Sequence, residues 1–154
     1  MPEALEWFDA PRPGESEAGL RFECTMCGNC CTGPEGYVLV SDEEAAAIAG
    51  RLGLSVEDFL AEYTRQTTEG RSLTERQSAS GLDCVFLDRA SIPGKAVCGV
   101  YEHRPAQCRT WPFWRSSLAS EAAWRRASRI CPGMNTGPLT TPQQIRVLRA
   151  RVDI

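Results

Sequence analysis

Nowhere in the 154 residues does an apolar run approach the roughly 18 residues of a membrane-spanning helix, so an integral membrane protein built from helices is excluded. Lysine is nearly missing, Lys95 being the single one, and the other 16 basic residues are arginines. The arginines are spread out, with only Arg125 and Arg126 adjacent, and no basic run interleaved with aromatics appears. A nucleic-acid partner is therefore not expected. The chain begins with the acidic stretch Met1-Pro2-Glu3-Ala4-Leu5-Glu6 and has no basic segment leading into an apolar one. It does not read as a secretory signal, and a cytoplasmic location is expected. No carboxylate pair, Ser/His/Asp set or glycine-rich phosphate loop is visible, so hydrolase or kinase chemistry has no support. Apolar residues at 42% and charged residues at 24% are near the globular average and exclude wholesale disorder.

What the chain does have is eight cysteines: Cys24, Cys27, Cys30, Cys31, Cys84, Cys98, Cys108 and Cys131. The first four form the run C-T-M-C-G-N-C-C, and the others stand singly. A disulfide framework needs an oxidising compartment and a distant partner for each crowded thiol. A redox dithiol is compatible with C-x-x-C but leaves the remaining cysteines unexplained. Metal binding accounts for all eight. Two intervening residues let the chain turn so that two sulfurs converge and backbone amides point at them, and Gly28 suits such a turn. Three cysteines at successive x2 spacings with a distant Cys-Pro, here Cys131-Pro132, follow the iron–sulfur pattern. Zinc ribbons more often show two separated knuckles. The spacing favours an iron–sulfur cluster, [4Fe-4S] before other types, with zinc as the alternative. Adjacent Cys30 and Cys31 are expected to project differently and serve different metals or different edges of a cluster.

Residues 1–20 read as a loose leader, to be pinned by Leu5, Trp7 and Phe8, and residues 21–154 as the metal-binding domain. A Gly-Pro-Glu-Gly turn is expected at 33–36 and a short strand at Tyr37-Val38-Leu39-Val40. Ser41 with Glu44 predicts a capping box, Ala45, Ile48, Ala49 and Leu52 the apolar stripe, and Gly53 the stop. Ser55 with Asp58 starts a second helix whose stripe is Val56, Phe59, Leu60 and Tyr63. Residues 64–81 are polar and read as a surface excursion. The runs 84–88 and 96–101 about Pro93-Gly94 read as a β-hairpin. Arg104-Pro105 opens a helical turn carrying Cys108 and Arg109, and residues 117–129 form a helix with Trp124 on its apolar side. Thr141, Pro142 and Gln144 open a last helix bearing Ile145, Val147, Leu148 and Val152. The expected fold class is α-rich α+β, a small single domain with a short hairpin and several helices around a cysteine-lined metal centre.

At this point the residues resemble a known family. The run Cys24-x2-Cys27-x2-Cys30-Cys31 is similar to the signature of the CxxCxxCC, or YkgJ-like, cysteine-cluster proteins, to which zinc or iron chelation is ascribed. Cys84-Val-Phe-Leu, Cys98 with Val100-Tyr101-Glu102 and Arg104-Pro105, Cys108-Arg109 with Pro112-Phe113, and Cys131-Pro132-Gly133 resemble its later segments in order, with Val100 in place of the usual isoleucine. The likeness covers roughly residues 22–133 and implies a metal-chelating domain. Some relatives carry a flagellin lysine methylase label, but they are longer proteins.

His103, the only histidine, is expected to be a surface or capping residue rather than a ligand. Arg104 and Arg109 flank Cys108 and are candidate neutralisers of a metal–thiolate core, which carries a formal charge of about −2 for four thiolates on zinc or on a [4Fe-4S]²⁺ cluster. Asp83 and Glu102 adjoin cysteine-bearing segments. Trp111, Pro112, Phe113 and Trp114 are expected to pack in a core that screens the metal. Three functional classes follow: an iron–sulfur protein for electron transfer, sensing or iron handling; a zinc-scaffolded interaction module; and a cluster-dependent enzyme. Metal ions are the only partners the sequence implies.

Overall fold

The computed structural model describes residues 4–33 and 35–154. In chain order these form β1 (Leu20–Phe22), α1 (Asp42–Leu52), α2 (Val56–Tyr63), β2 (Thr64–Gln66), β3 (Arg71–Leu73), β4 (Glu75–Ser78), β5 (Gly81–Cys84), β6 (Leu87–Asp88), β7 (Val97–Cys98), α3 (Ala106–Thr110), α4 (Arg115–Leu118), α5 (Glu121–Ser128), β8 (Met134–Thr140) and α6 (Pro142–Arg149). Short 3-10 turns lie at Trp7–Asp9, Asn29–Cys31 and Tyr101–His103. The class is α+β, with helices and short antiparallel strand pairs. Among the described residues no helix is long and apolar enough to cross a membrane. The chain divides into two compact units: residues 4–25 with Thr110–Ile154, and Met26–Arg109.

The first unit is built on a pairing between chain ends. β1 pairs antiparallel with β8, Leu20 opposite Thr140 and Phe22 opposite Met134, with a bulge between Arg21 and Phe22. Its core gathers Phe8, Leu20, Phe113, Leu118, Trp124, Cys131, Met134 and Ile145. Trp7 and Phe8 pin the segment before β1 into this unit, whereas Leu5 is exposed. Charge adds to the attachment. Arg146 reaches Asp9 at 2.6 Å, and Arg149 reaches Glu6 at 2.6 Å. Thr141 and Gln144 form the expected box at the start of α6, with Pro142 in its first turn, but Val147 faces solvent. The stretch expected as one helix over 117–129 is two, α4 and α5, broken near Ser120, whose hydroxyl caps α5.

The second unit packs α1 and α2 against three small hairpins. Ser41 and Glu44 cap α1 reciprocally, and Gly53 ends it in the left-handed conformation. Ala45, Ile48 and Ala49 are buried as the periodicity predicts, while Leu52 and Val56 lie at the exposed margin. Phe59, Tyr63 and Phe86 stack, with ring centroids 5.8, 5.3 and 6.4 Å apart, in the middle of this core. Tyr37–Val40 is not a sheet strand. Its main chain is satisfied by Gln107, which donates to the Tyr37 carbonyl and accepts from the Leu39 amide, both at 2.9 Å, and by a single bridge to Ser72. The turn expected at 33–36 includes Pro34, which lies outside the described residues.

Residues 64–81 correct the expectation of a surface excursion. They form β2, β3, β4 and the start of β5, and Ser72 and Leu73 are buried. The strands are three or four residues long and rich in Arg, Ser and Thr, so no apolar alternation marks them. The hairpin about Pro93-Gly94 is present but short: Leu87 pairs with Cys98 and Asp88 with Val97. Cys84 belongs to the preceding pair, opposite Glu75. Phe59 has no solvent exposure, so Phe59→Ala is expected to destabilise the second unit by about 3–5 kcal/mol. Urea unfolding followed by tyrosine signals, Tyr37, Tyr63 and Tyr101 all lying in this unit, measures it, and a loss under about 1 kcal/mol would contradict this packing.

Candidate metal centre

All eight cysteines are thiols, with no disulfide among the described residues. Six of them, Cys27, Cys30, Cys31, Cys84, Cys98 and Cys108, belong to the second unit. The run enters through a tight turn. Met26 and Gly28 both have positive φ, 55° and 79°, and Gly28 opens the 3-10 turn that carries Cys30 and Cys31. The Asn29 amide donates to the Cys27 sulfur at 3.4 Å, so a main-chain amide points at the sulfur as the x2 spacing predicts. The Met26 carbonyl accepts from the Ala96 amide at 2.8 Å, which docks the turn beside the hairpin of β6 and β7. Gly28 meets that hairpin directly: a Cβ there would stand 2.6 Å from the Ala96 Cβ.

The other thiols arrive on separate supports. Cys84 ends β5 and Cys98 ends β7, and both pack against the core around Phe59 and Phe86. Cys108 rides on α3. Glu44 accepts from the Ala106 amide at 2.5 Å and so caps α3 while also capping α1, and Gln107 anchors it from the next position.

These supports bring Cys30, Cys31, Cys84, Cys98 and Cys108 within electrostatic reach of one another. Burial pushes the Cys84 thiol up to about 11, helped by Cys98, and pushes Cys98 and Cys108 up as well, Cys108 feeling Cys84, Cys98 and Cys30. The Cys30 and Cys31 sulfurs stand 3.7 Å from each other. A hydrogen bond from the Cys31 thiol favours the Cys30 thiolate and lowers its pKa. The same bond raises Cys31, which also feels burial and the charges of Cys30, Cys108 and Cys84. Among the described residues, no three His, Cys, Asp or Glu side chains stand close enough together to ligate one ion. The gathering is one of neighbourhood rather than of ligand distances.

Arg104 brings positive charge to three of these thiols, as Arg76 does to Cys84 and Arg89 to Cys31. The Arg104 guanidinium lies 3.9 Å from the Tyr101 ring centroid and favours the thiolates of Cys30, Cys98 and Cys108. Arg109 does something else. It donates to the carbonyls of Arg104 and Glu102 at 2.7 and 2.8 Å, clamping the turn that holds Arg104. Asp83, adjacent to Cys84, is buried, and its carboxyl is held far below the usual range by the Arg89 guanidinium, with Thr32 and Ser78 adding to it. Sequence reasoning placed Asp83 beside a cysteine segment but missed Arg89, six positions on, because nothing in the pattern marks which carboxylate will be buried.

Cys24 and Cys131 lie in the first unit. The Glu23 amide donates to the Gly133 carbonyl at 3.0 Å, which continues the β1–β8 pairing past Phe22 and brings their segments side by side. Gly133 is tightly constrained there, since a Cβ would stand 1.9 Å from the Glu23 carbonyl oxygen. Cys24 is exposed, while Cys131 is buried in the apolar cluster. In this unit Phe113 stacks on Trp124, and Trp111 meets Trp114 edge-on. His103 closes the 3-10 turn after Val100.

The sequence pattern of the CxxCxxCC family, described as "Putative zinc- or iron-chelating domain", matches residues 23–132, well over half of the chain. No solved structure matches the chain. The donors are of the kind such a domain needs, since thiolates suit zinc and iron–sulfur clusters alike. Gly28→Ala is expected to strain the cysteine turn and lower bound metal several-fold, because positive φ and the contact with Ala96 both exclude a side chain. Elemental analysis of purified protein checks this, and equal metal in variant and parent would contradict it.

Proposed function

We propose that this chain, which belongs to the CxxCxxCC family, holds iron as an iron–sulfur cluster, [4Fe-4S] before other types, through thiolates of its second unit. The observation that supports this best is the collection of Cys30, Cys31, Cys84, Cys98 and Cys108 into mutual electrostatic range, with Cys27 at the head of the same turn. The C-x2-C-x2-C run, of which Cys27 and Cys30 lie in this unit and Cys24 in the other, supports iron over zinc by its spacing in sequence. Arg104 supplies positive charge next to three of these thiols, as a cluster with a formal charge of about −2 requires. Arg109 would act one step removed, by fixing the turn that presents Arg104. Such a cluster supplies one-electron chemistry, and the role that follows is electron transfer, sensing or iron handling.

Zinc is the second reading, and one distance favours it. In a tetrahedral site with Zn–S near 2.3 Å, two sulfurs stand about 3.8 Å apart. Cys30 and Cys31 already stand at 3.7 Å, the edge of such a tetrahedron. With four thiolates around zinc the site would be closed and structural, and function would lie on the surface.

Protein prepared without oxygen distinguishes the two. The iron–sulfur reading expects brown protein with iron and acid-labile sulfide in equal amounts, bleached by air. Colourless, air-stable protein with stoichiometric zinc and no labile sulfide would reject it in favour of the zinc scaffold.

A further inference from the structure

We infer that the Asp83–Arg89 pair is a positioning device for the thiols, and that it sets the directions of Cys84 and Cys31; the inference rests on the reading that second-unit thiolates hold the metal. Arg89 grips Asp83 with two hydrogen bonds, Nε to Oδ2 and Nη2 to Oδ1, both at 2.9 Å. Ser78 adds a third from its hydroxyl to Oδ1 at 3.0 Å. The Asp83 side chain is 2% exposed against 37% for Arg89, so the carboxylate is shielded from water and the two-pronged bond fixes its orientation. Neighbouring residues on a strand project to opposite faces. Holding Asp83 on one face of β5 therefore fixes the rotation of the strand, and with it the direction of Cys84.

The same frame reaches the cysteine run. The Leu82 amide donates to the Gly33 carbonyl at 2.8 Å, so the segment after Cys31 lies on β5. Gly81 permits this approach, since a Cβ there would stand 2.7 Å from the Gly33 oxygen. The Thr32 hydroxyl is buried beside the Asp83 carboxylate without completing a hydrogen bond of ordinary geometry. The Arg89 cation lies within electrostatic range of the Cys31 sulfur. On the other side, Arg76, the ladder partner of Asp83, donates to the Leu87 carbonyl, and Leu87 is the ladder partner of Cys98. Asp83 thus sits in the strand pair whose neighbouring bonds reach the supports of three thiols, those of Cys84, Cys31 and Cys98. Metal ligands held this way need less rearrangement on binding, and partners of ligands typically change metal affinity about 10–100-fold when removed.

The test uses the full chain, stripped of metal without oxygen and titrated with cobalt(II). Thiolate-to-cobalt absorbance per bound cobalt reports how many sulfurs ligate, and chelator competition gives the affinity. Asp83→Asn is expected to weaken cobalt binding at least tenfold and to lower the absorbance per bound cobalt. Arg89→Lys, which keeps the charge and part of the hydrogen bonding, is expected to fall between Asp83→Asn and the parent. A merely structural role would lower the melting temperature of the metal-free protein but leave the absorbance per bound cobalt unchanged, and that result would overturn the inference. Should Asp83→Asn fail to fold, Ser78→Ala and Arg89→Lys decide: parental affinity and absorbance in both would overturn it, and graded losses would support it. A parent showing no thiolate-to-cobalt band would overturn the metal reading itself, and this inference with it.

Discussion

Five thiols gathered at the edge of one apolar core cannot all ionise in the absence of a counter-charge, and the second unit is arranged around that restriction. Burial and mutual repulsion push the thiols of Cys84, Cys98, Cys108 and Cys31 up, and the contact with Cys31 pushes Cys30 down. A cation held by these thiols would favour their ionisation, so metal binding would be coupled to the release of protons. Arg104, stacked on Tyr101, contributes to the same effect from the protein side.

The supports of these thiols are separate in sequence and are tied together by polar groups rather than by a continuous sheet. Glu44 caps two helices at once and so sets where Cys108 sits. Gln107 holds the main chain of Tyr37 and Leu39. The Leu82 amide joins β5 to Gly33, after Cys31, and Arg89 holds Asp83 beside it. Strands of two to four residues cannot stabilise themselves, and each hairpin depends on the stack of Phe59, Tyr63 and Phe86 beneath it. The first unit solves a different problem, closing the chain ends on each other by β1 with β8 and by Glu6 and Asp9 with Arg146 and Arg149.

Local chemistry was legible in the sequence. The boxes at Ser41–Glu44 and Thr141–Gln144, the left-handed stop at Gly53 and the turn at Pro93-Gly94 each depend on residues a few positions apart. The cysteine run announced its own turn through Gly28. Non-local and polar features were not legible. Leu20 meets Thr140 across most of the chain, and no spacing rule connects them. The strands over 64–84 hide behind Arg, Ser and Thr because their order comes from main-chain hydrogen bonds. Arg109 looked like a charge compensator from its place beside Cys108, yet its guanidinium is engaged by two carbonyls. The assignment of Cys24 and Cys131 to a different unit from the other six depends on the same long-range pairing.

Whether the second-unit sulfurs hold the metal is tested most directly by alkylation of the metal-loaded and the chelator-stripped protein without oxygen, read cysteine by cysteine in peptide mass spectra. If they do, Cys30, Cys31, Cys84, Cys98 and Cys108 resist alkylation when loaded and react once the metal is removed. Equal reactivity of these five in both states, or protection confined to Cys24 and Cys131, would contradict that reading.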